Sequence, residues 1–131
     1  MLERRYLKAS LFLSFALLLA GCGSPSLVSI QITPTAEYFG APGLTAQFTA
    51  IGTYEQGNHP ASHRDITDLV TWKSNAPGVA TISATGLATS GVDLGSTAIT
   101  ATMNGFTGLI TANATVVVCA KINSTGNGCS Q

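Results

Sequence analysis

The chain has 131 residues, which is room for one domain at most. Its six basic and six acidic side chains cancel, and half of the basic ones (Arg4, Arg5 and Lys8) sit in the first eight positions. Beyond residue 21, Arg64, Lys73 and Lys121 face Glu37, Glu55, Asp65, Asp68 and Asp93, a net charge of −2 that leaves no electrostatic footprint for nucleic acid.

The head Met1–Lys8 carries three basic groups and one acid, and an apolar run follows from Ala9 to Ala20. A charged head, a short apolar middle and the small residues Ala20-Gly21 before Cys22 describe an export signal. A spanning helix is the alternative, but crossing hydrocarbon takes about 20 apolar residues, and this run has 12. Leu19-Ala20-Gly21-Cys22 resembles the lipobox of bacterial lipoproteins. That resemblance implies cleavage after residue 21, a diacylglycerol on the Cys22 thiol and a further acyl chain, such as palmitate, on its freed amine. Each buried methylene contributes about 0.8 kcal/mol, so two or three chains give a nearly permanent membrane anchor.

Gly23–Ser26 reads as a tether of roughly 15 Å. From Leu27 to Val118 helical periodicity is absent, and short runs rich in Thr, Val and Ile alternate with turn residues. Strands are predicted at Leu27–Thr33 (stopped by Pro34), Leu44–Tyr54, Leu69–Lys73, Val79–Ser83, Leu87–Thr89, Ser96–Met103 and Phe106–Val118. Ala46, Phe48 and Ala50 share one face of the second, and Thr45, Gln47 and Thr49 the other. Asn104-Gly105 predicts a two-residue hairpin turn that sets Ile110, Ala112, Ala114, Val116 and Val118 on one side of the last strand. About seven short strands without a helix to cover them predict an antiparallel β-sandwich, with a small closed barrel as the alternative.

Cys119 and Cys129 remain once Cys22 is set aside. They form an even pair in a compartment that permits disulfides, and the spacing is unlike a Cys-x-x-Cys redox motif. A bridge around their turn-prone loop is expected to clip the tail, with about 3 kcal/mol of loop entropy removed from the unfolded chain in the entropic account. The expected organisation is a signal at 1–21, lipidated cysteine and tether at 22–26, a sandwich at 27–118 and a clipped tail at 119–131.

Three segments stand in order along the chain: Val28-Ser-Ile-Gln-Ile-Thr-Pro34, Asp65-Ile-Thr-Asp-Leu-Val-Thr-Trp-Lys-Ser-Asn75 and Val79-Ala-Thr-Ile-Ser-Ala-Thr-Gly-Leu-Ala-Thr89, the last followed by Gly95-Ser-Thr-Ala-Ile-Thr-Ala101. Together they resemble the bacterial immunoglobulin-like domains of group 2. The resemblance implies an immunoglobulin-like sandwich of the kind used on bacterial surfaces as a spacer or adhesive module, often in tandem. Here one copy is present, and no cysteine pair lies inside it, so packing around Trp72 must link its sheets.

Trp72 is expected in the core rather than stacked on a sugar. His59 and His63, with Asp65 and Asp68, are the one group of potential metal ligands, placed in the loop between the second and third strands. Pro60 disfavours the helical turn that would bring the imidazoles together, so no metal is expected. Asp65 is expected to cap a turn by accepting backbone N–H bonds. Serine and threonine hydroxyls are expected to face solvent, none with a positioned base, so neither a catalytic group nor a cofactor is expected. The sequons Asn113-Ala-Thr115 and Asn123-Ser-Thr125 read as chance in such a chain.

The expected role is a non-catalytic binding, adhesion or structural module of the cell envelope, touching an envelope protein or glycan by its surface or an exposed sheet edge. A small carbohydrate- or ligand-binding lipoprotein using loops at one end is the alternative. Domain plus tether reach some 50 Å from the lipid, using roughly 34 Å for a ten-residue strand. Gly23 is not the Asp that retains many lipoproteins at the inner membrane, so the outer membrane is expected, with the domain periplasmic or surface-exposed.

Overall fold

A computed structural model describes residues 23–130. The expected signal and Cys22 therefore lie outside the described residues. The described chain is all β, in ten strands. These are β1 (Ser26–Thr33), β2 (Ala36–Phe39), β3 (Thr45–Gln47), β4 (Thr49–Gln56), β5 (His59–Asp65), β6 (Thr71–Ser74), β7 (Ala80–Ile82), β8 (Leu87–Ser90), β9 (Gly95–Gly105) and β10 (Gly108–Val118). One layer is the sheet β2-β10-β9-β6; the other joins β1-β4-β5 to β3-β8-β7 through the continuous ribbon of β3 and β4. Between them Leu27, Ile32, Phe48, Ala50, Ile66 and Val70 share a core with Ile99, Ala101, Ala114, Val116 and Val118. The expected immunoglobulin-like sandwich is what the chain forms, with three strands more than the seven predicted.

The three extra strands have separate causes. Pro34 ends β1 as predicted, but the chain then crosses to the opposite layer, where β2 runs parallel to β10. The run predicted as one strand at Leu44–Tyr54 is broken at Phe48, which lies between β3 and β4 and is fully enclosed. Its predicted faces survive the break: Phe48 and Ala50 are buried and Ala46 half-buried, while Thr45 and Gln47 are exposed. The expected loop carrying His59 and His63 is instead β5, an antiparallel edge strand on β4. All seven of its side chains are exposed. With neither face covered there is no alternation to read, and Pro60 is tolerated because an edge strand has one unpaired side.

The predicted hairpin turn is also corrected. Gly105 pairs with Gly108, so Phe106 and Thr107 make the turn, and Asn104 and Gly105 belong to β9. Neither Asn104 nor Gly105 has the positive φ that the expected turn needs. Gly105 serves a different purpose: a β-carbon there would collide with the Ile110 side chain and lie 2.7 Å from the Leu27 carbonyl oxygen. Met103 consequently faces Ile110 rather than Phe106. That slip of four is even, so the predicted face is kept: Ala114, Val116 and Val118 are buried, Ile110 and Ala112 half-buried.

Candidate functional site

One edge of the β3–β4 ribbon changes partner halfway along. Thr45–Gln47 pair with β8, and the Phe48 N–H then donates to the Gly86 carbonyl at 2.8 Å. From Ile51 onward the partner on that edge is β5. The gap is bridged by the segment after β5, where the Ile66 N–H donates to the Ala50 carbonyl and the Ala50 N–H donates to the Thr67 hydroxyl, both at 2.9 Å. Where the two partners part, a cleft of about 510 Å³ opens, lined by Gln47, Thr49, Asp65, Thr67, Asp68, Leu69 and Thr85.

Local sequence explains each wall. Asp65 ends β5 and its Oδ1 accepts the Thr67 N–H at 2.9 Å, the turn cap expected of it. Hydrogen bonding from Thr67, side chain first and backbone second, holds the Asp65 carboxyl below its ordinary 3.8. The Thr67 carbonyl in turn accepts the Trp72 indole N–H at 2.9 Å. On the far wall the Gln47 amide donates to the carbonyls of Thr85 and Phe48 at 2.7 and 2.8 Å, fixing the β7–β8 turn against the ribbon. Gly86 in that turn has φ +79°, and a β-carbon there would collide with the Phe48 carbonyl oxygen. The floor is thus built of committed polar groups, and the carboxylates of Asp65 and Asp68 both line the cleft. Such a surface can present hydrogen-bond acceptors to a small polar ligand.

The predicted residues fall in different places. Trp72 packs against the core opposite Ala101 as expected, yet it is half-buried rather than enclosed, because its indole N–H reaches outward to Thr67. His59 and His63 are four positions apart on a strand, about 13 Å of chain, and do not converge. His63 Nδ1 lies 3.2 Å from the Thr53 hydroxyl across the β4–β5 ladder. Among the described residues no group of three or more His, Cys, Asp or Glu is placed to hold a metal ion. Cys119 and Cys129 form a disulfide. It closes a loop whose Ile122 packs over Gly40, just after β2, so the bridge fastens the tail to the body as well as to itself.

The expectation that hydroxyls face solvent fails at three positions. Thr67, Ser90 and Thr97 are buried. The Thr97 hydroxyl accepts the Ala76 N–H at 2.8 Å, and the Ser90 hydroxyl accepts the Leu44 N–H and donates to the Ala41 carbonyl. Thr97 and Ser90 each tie a loop amide, and Thr67 ties the Ala50 amide of β4, as buried backbone groups require. The signal was present: Thr67 stands in the motif Asp65-Ile-Thr67, and Thr97 occupies an inward position of β9.

The family pattern of the bacterial Ig-like domain (group 2) matches residues 27–112. This chain belongs to that family. Over 78 residues it is also 47% identical to Ice-binding protein 1 of Shewanella frigidimarina (strain NCIMB 400), a match covering 60% of this chain and 8% of that protein. The chain therefore corresponds to a small part of a much longer relative. Of the positions at which this chain resembles the bacterial Ig-like pattern, Asp65 and Thr67 line the cleft, while Val70 and Trp72 pack with the core.

Proposed function

We propose that this chain is a lipid-anchored, non-catalytic module of the bacterial cell envelope, in which one bacterial Ig-like domain contacts a partner close to the membrane. The observation that carries this reading is the lipobox Leu19-Ala20-Gly21-Cys22 placed four residues before β1 opens at Ser26. A thiol acylated there sits within roughly 15 Å of the sandwich, which favours a partner near the bilayer, in the periplasm or at the surface of the outer membrane. The outer edge of β5 supplies backbone groups for strand addition. Metabolic labelling with an alkyne-bearing palmitate tests the anchor: label and membrane fractionation are expected for the parent and lost in Cys22→Ala. Label retained in Cys22→Ala, or an unacylated parent in the medium, would refute it. Pull-down from detergent-solubilised envelopes is expected to recover a single envelope protein.

The cleft favours a second reading, a small polar or carbohydrate ligand held by Gln47, Asp65 and Asp68. Glycan-array binding lost in Asp68→Ala would select it over the first. The likeness to Ice-binding protein 1 supports a spacing or binding role, but we assign this module no ice-contacting face. Thr71, Thr102 and Thr111 do form a row across β6, β9 and β10. Adjacent strands rotate by about 20–25° in such sheets, too much for the row to extend into a flat lattice match.

A further inference from the structure

Three large exposed apolar side chains, Val28, Phe106 and Leu109, share one pole of the sandwich, while Leu44, Leu69, Leu87, Val92, Leu94 and Ile122 are exposed elsewhere. At one pole of the sandwich, Phe106 is 85% exposed and Leu109 67% exposed, at the tip of the β9–β10 hairpin. Beside them Val28, 43% exposed, stands out of β1 at the irregularity between Leu27 and Ser29. Turns ordinarily carry Gly, Asn, Asp, Ser or Pro, and nothing in the fold uses the Phe106 ring. Gly105 fixes the position of this tip, because its bare Cα allows the hairpin to lie against the Leu27 carbonyl. The tip therefore stands where the chain enters the domain. Gln56, at the end of β4, donates to the Gly23 carbonyl and holds the tether at the same pole. The opposite pole, marked by the pairing of Gly95 with Val118, is about 34 Å away along β9.

We infer that Phe106 and Leu109, with Val28 beside them, insert into the boundary between headgroups and acyl chains of the bilayer to which Cys22 is tied. This rests on the anchored reading given above. The occupant follows from chain length: three residues, Gly23, Ser24 and Pro25, separate Cys22 from β1, so this pole cannot stand more than roughly 15 Å from the acylated thiol. An apolar wedge reaches its favoured environment 5–10 Å inside the interface, a depth that Phe106 and Leu109 span. The wedge fixes how the domain stands. It turns the hairpin tip toward the lipid and leaves the β8–β9 loop, with Val92 79% exposed, at the far pole.

The test uses the mature chain from Cys22, made without its signal and coupled through the Cys22 thiol to maleimide-bearing lipid in phosphatidylcholine vesicles. Cys119 and Cys129 are paired and do not react. Three proteins are compared with dibrominated lipid as quencher: the parent with Trp72 alone, Phe106→Trp and Val92→Trp. The tryptophan at 106 is expected to shift to the blue and to be quenched at least twofold more than Trp72, and that at 92 to be unaffected. Equal quenching at 106 and 92, or none at 106, would overturn the inference. So would quenching that disappears at low surface density with 106-to-106 cross-linking, which would mark a second copy as the occupant. Circular dichroism confirms each fold, and Leu109→Trp replaces Phe106→Trp if the latter is altered. Chemical coupling separates the two readings: loss of acylation in cells removes the natural anchor without touching this result, and absent quenching removes the wedge without touching acylation.

Discussion

The Thr67 hydroxyl accepts the backbone N–H of Ala50 at 2.9 Å, at the one point where the β3–β4 ribbon has left β8 and not yet met β5. A strand that changes partner leaves an amide over, and a buried amide without a partner is costly. Thr67 is buried, and it also takes the Trp72 indole N–H on its carbonyl and caps onto Asp65. One threonine thus joins ribbon, edge strand and the opposite sheet.

Thr67→Val keeps the shape of the side chain and removes the acceptor. Chemical denaturation is expected to show a loss of about 1–3 kcal/mol, while Thr67→Ser retains most of the stability. Equal stability of Thr67→Val and the parent would show that water or another group serves Ala50.

Trp72→Phe leaves an aromatic ring against the core but deletes the bond to the Thr67 carbonyl. The expected cost is about 0.5–1.5 kcal/mol for the hydrogen bond, plus some loss of packing. Iodide is expected to quench Trp72 in the parent partially, in keeping with its half-buried position.

Gly86 and Gly43 both have φ +79° but differ in surroundings, for a β-carbon at Gly86 meets the Phe48 carbonyl and one at Gly43 meets nothing. Gly43→Ala is expected to cost about 1 kcal/mol of backbone strain. Gly86→Ala is expected to cost several times more, because the collision adds to that strain and displaces the acceptor of the Phe48 N–H. Thermal denaturation of the two variants side by side reads the difference.

The Asp65 carboxyl titrates below its ordinary 3.8 because Thr67 bonds its charged form. A depressed folded value means that the stabilisation is complete above 3.8 and is lost as pH falls through the folded value. Stability is therefore expected to decline in the acid range below about pH 4, with Asp65→Asn flattening that part of the profile. A profile unchanged by the substitution would locate the acid sensitivity in other carboxylates.

Reduction of Cys119–Cys129 frees the loop that holds Ile122 over Gly40. Trypsin is expected to cut after Lys121 at least tenfold faster in reductant, with little change in the thermal midpoint of the sandwich.

The sequence by itself determined the class of fold and the facing of its core. Period-two alternation is local, so Phe48, Ala50, Ala114, Val116 and Val118 could be assigned to the buried side before any partner was known. The motif around Asp65 and Trp72 named the family for the same reason, being contiguous in the chain. The cysteine pair and the Asp65 cap were legible too, each resting on a few neighbouring residues.

Tertiary structure alone decided what depends on partners distant in sequence. β5 has no hydrophobic pattern because neither face is covered, and it exists only because β4 offers an edge. The break at Phe48 follows from two different strands sharing one edge, the burial of Thr67 from the Ala50 amide left over by that change, and the burial of Ser90 and Thr97 from the loop amides of Leu44 and Ala76. The hairpin turn moved from Asn104-Gly105 to Phe106-Thr107 because the Leu27 backbone, 78 residues earlier than Gly105, needs the space that only a glycine leaves. Turn propensity is a local preference of modest size, and a steric contact with a remote strand overrides it.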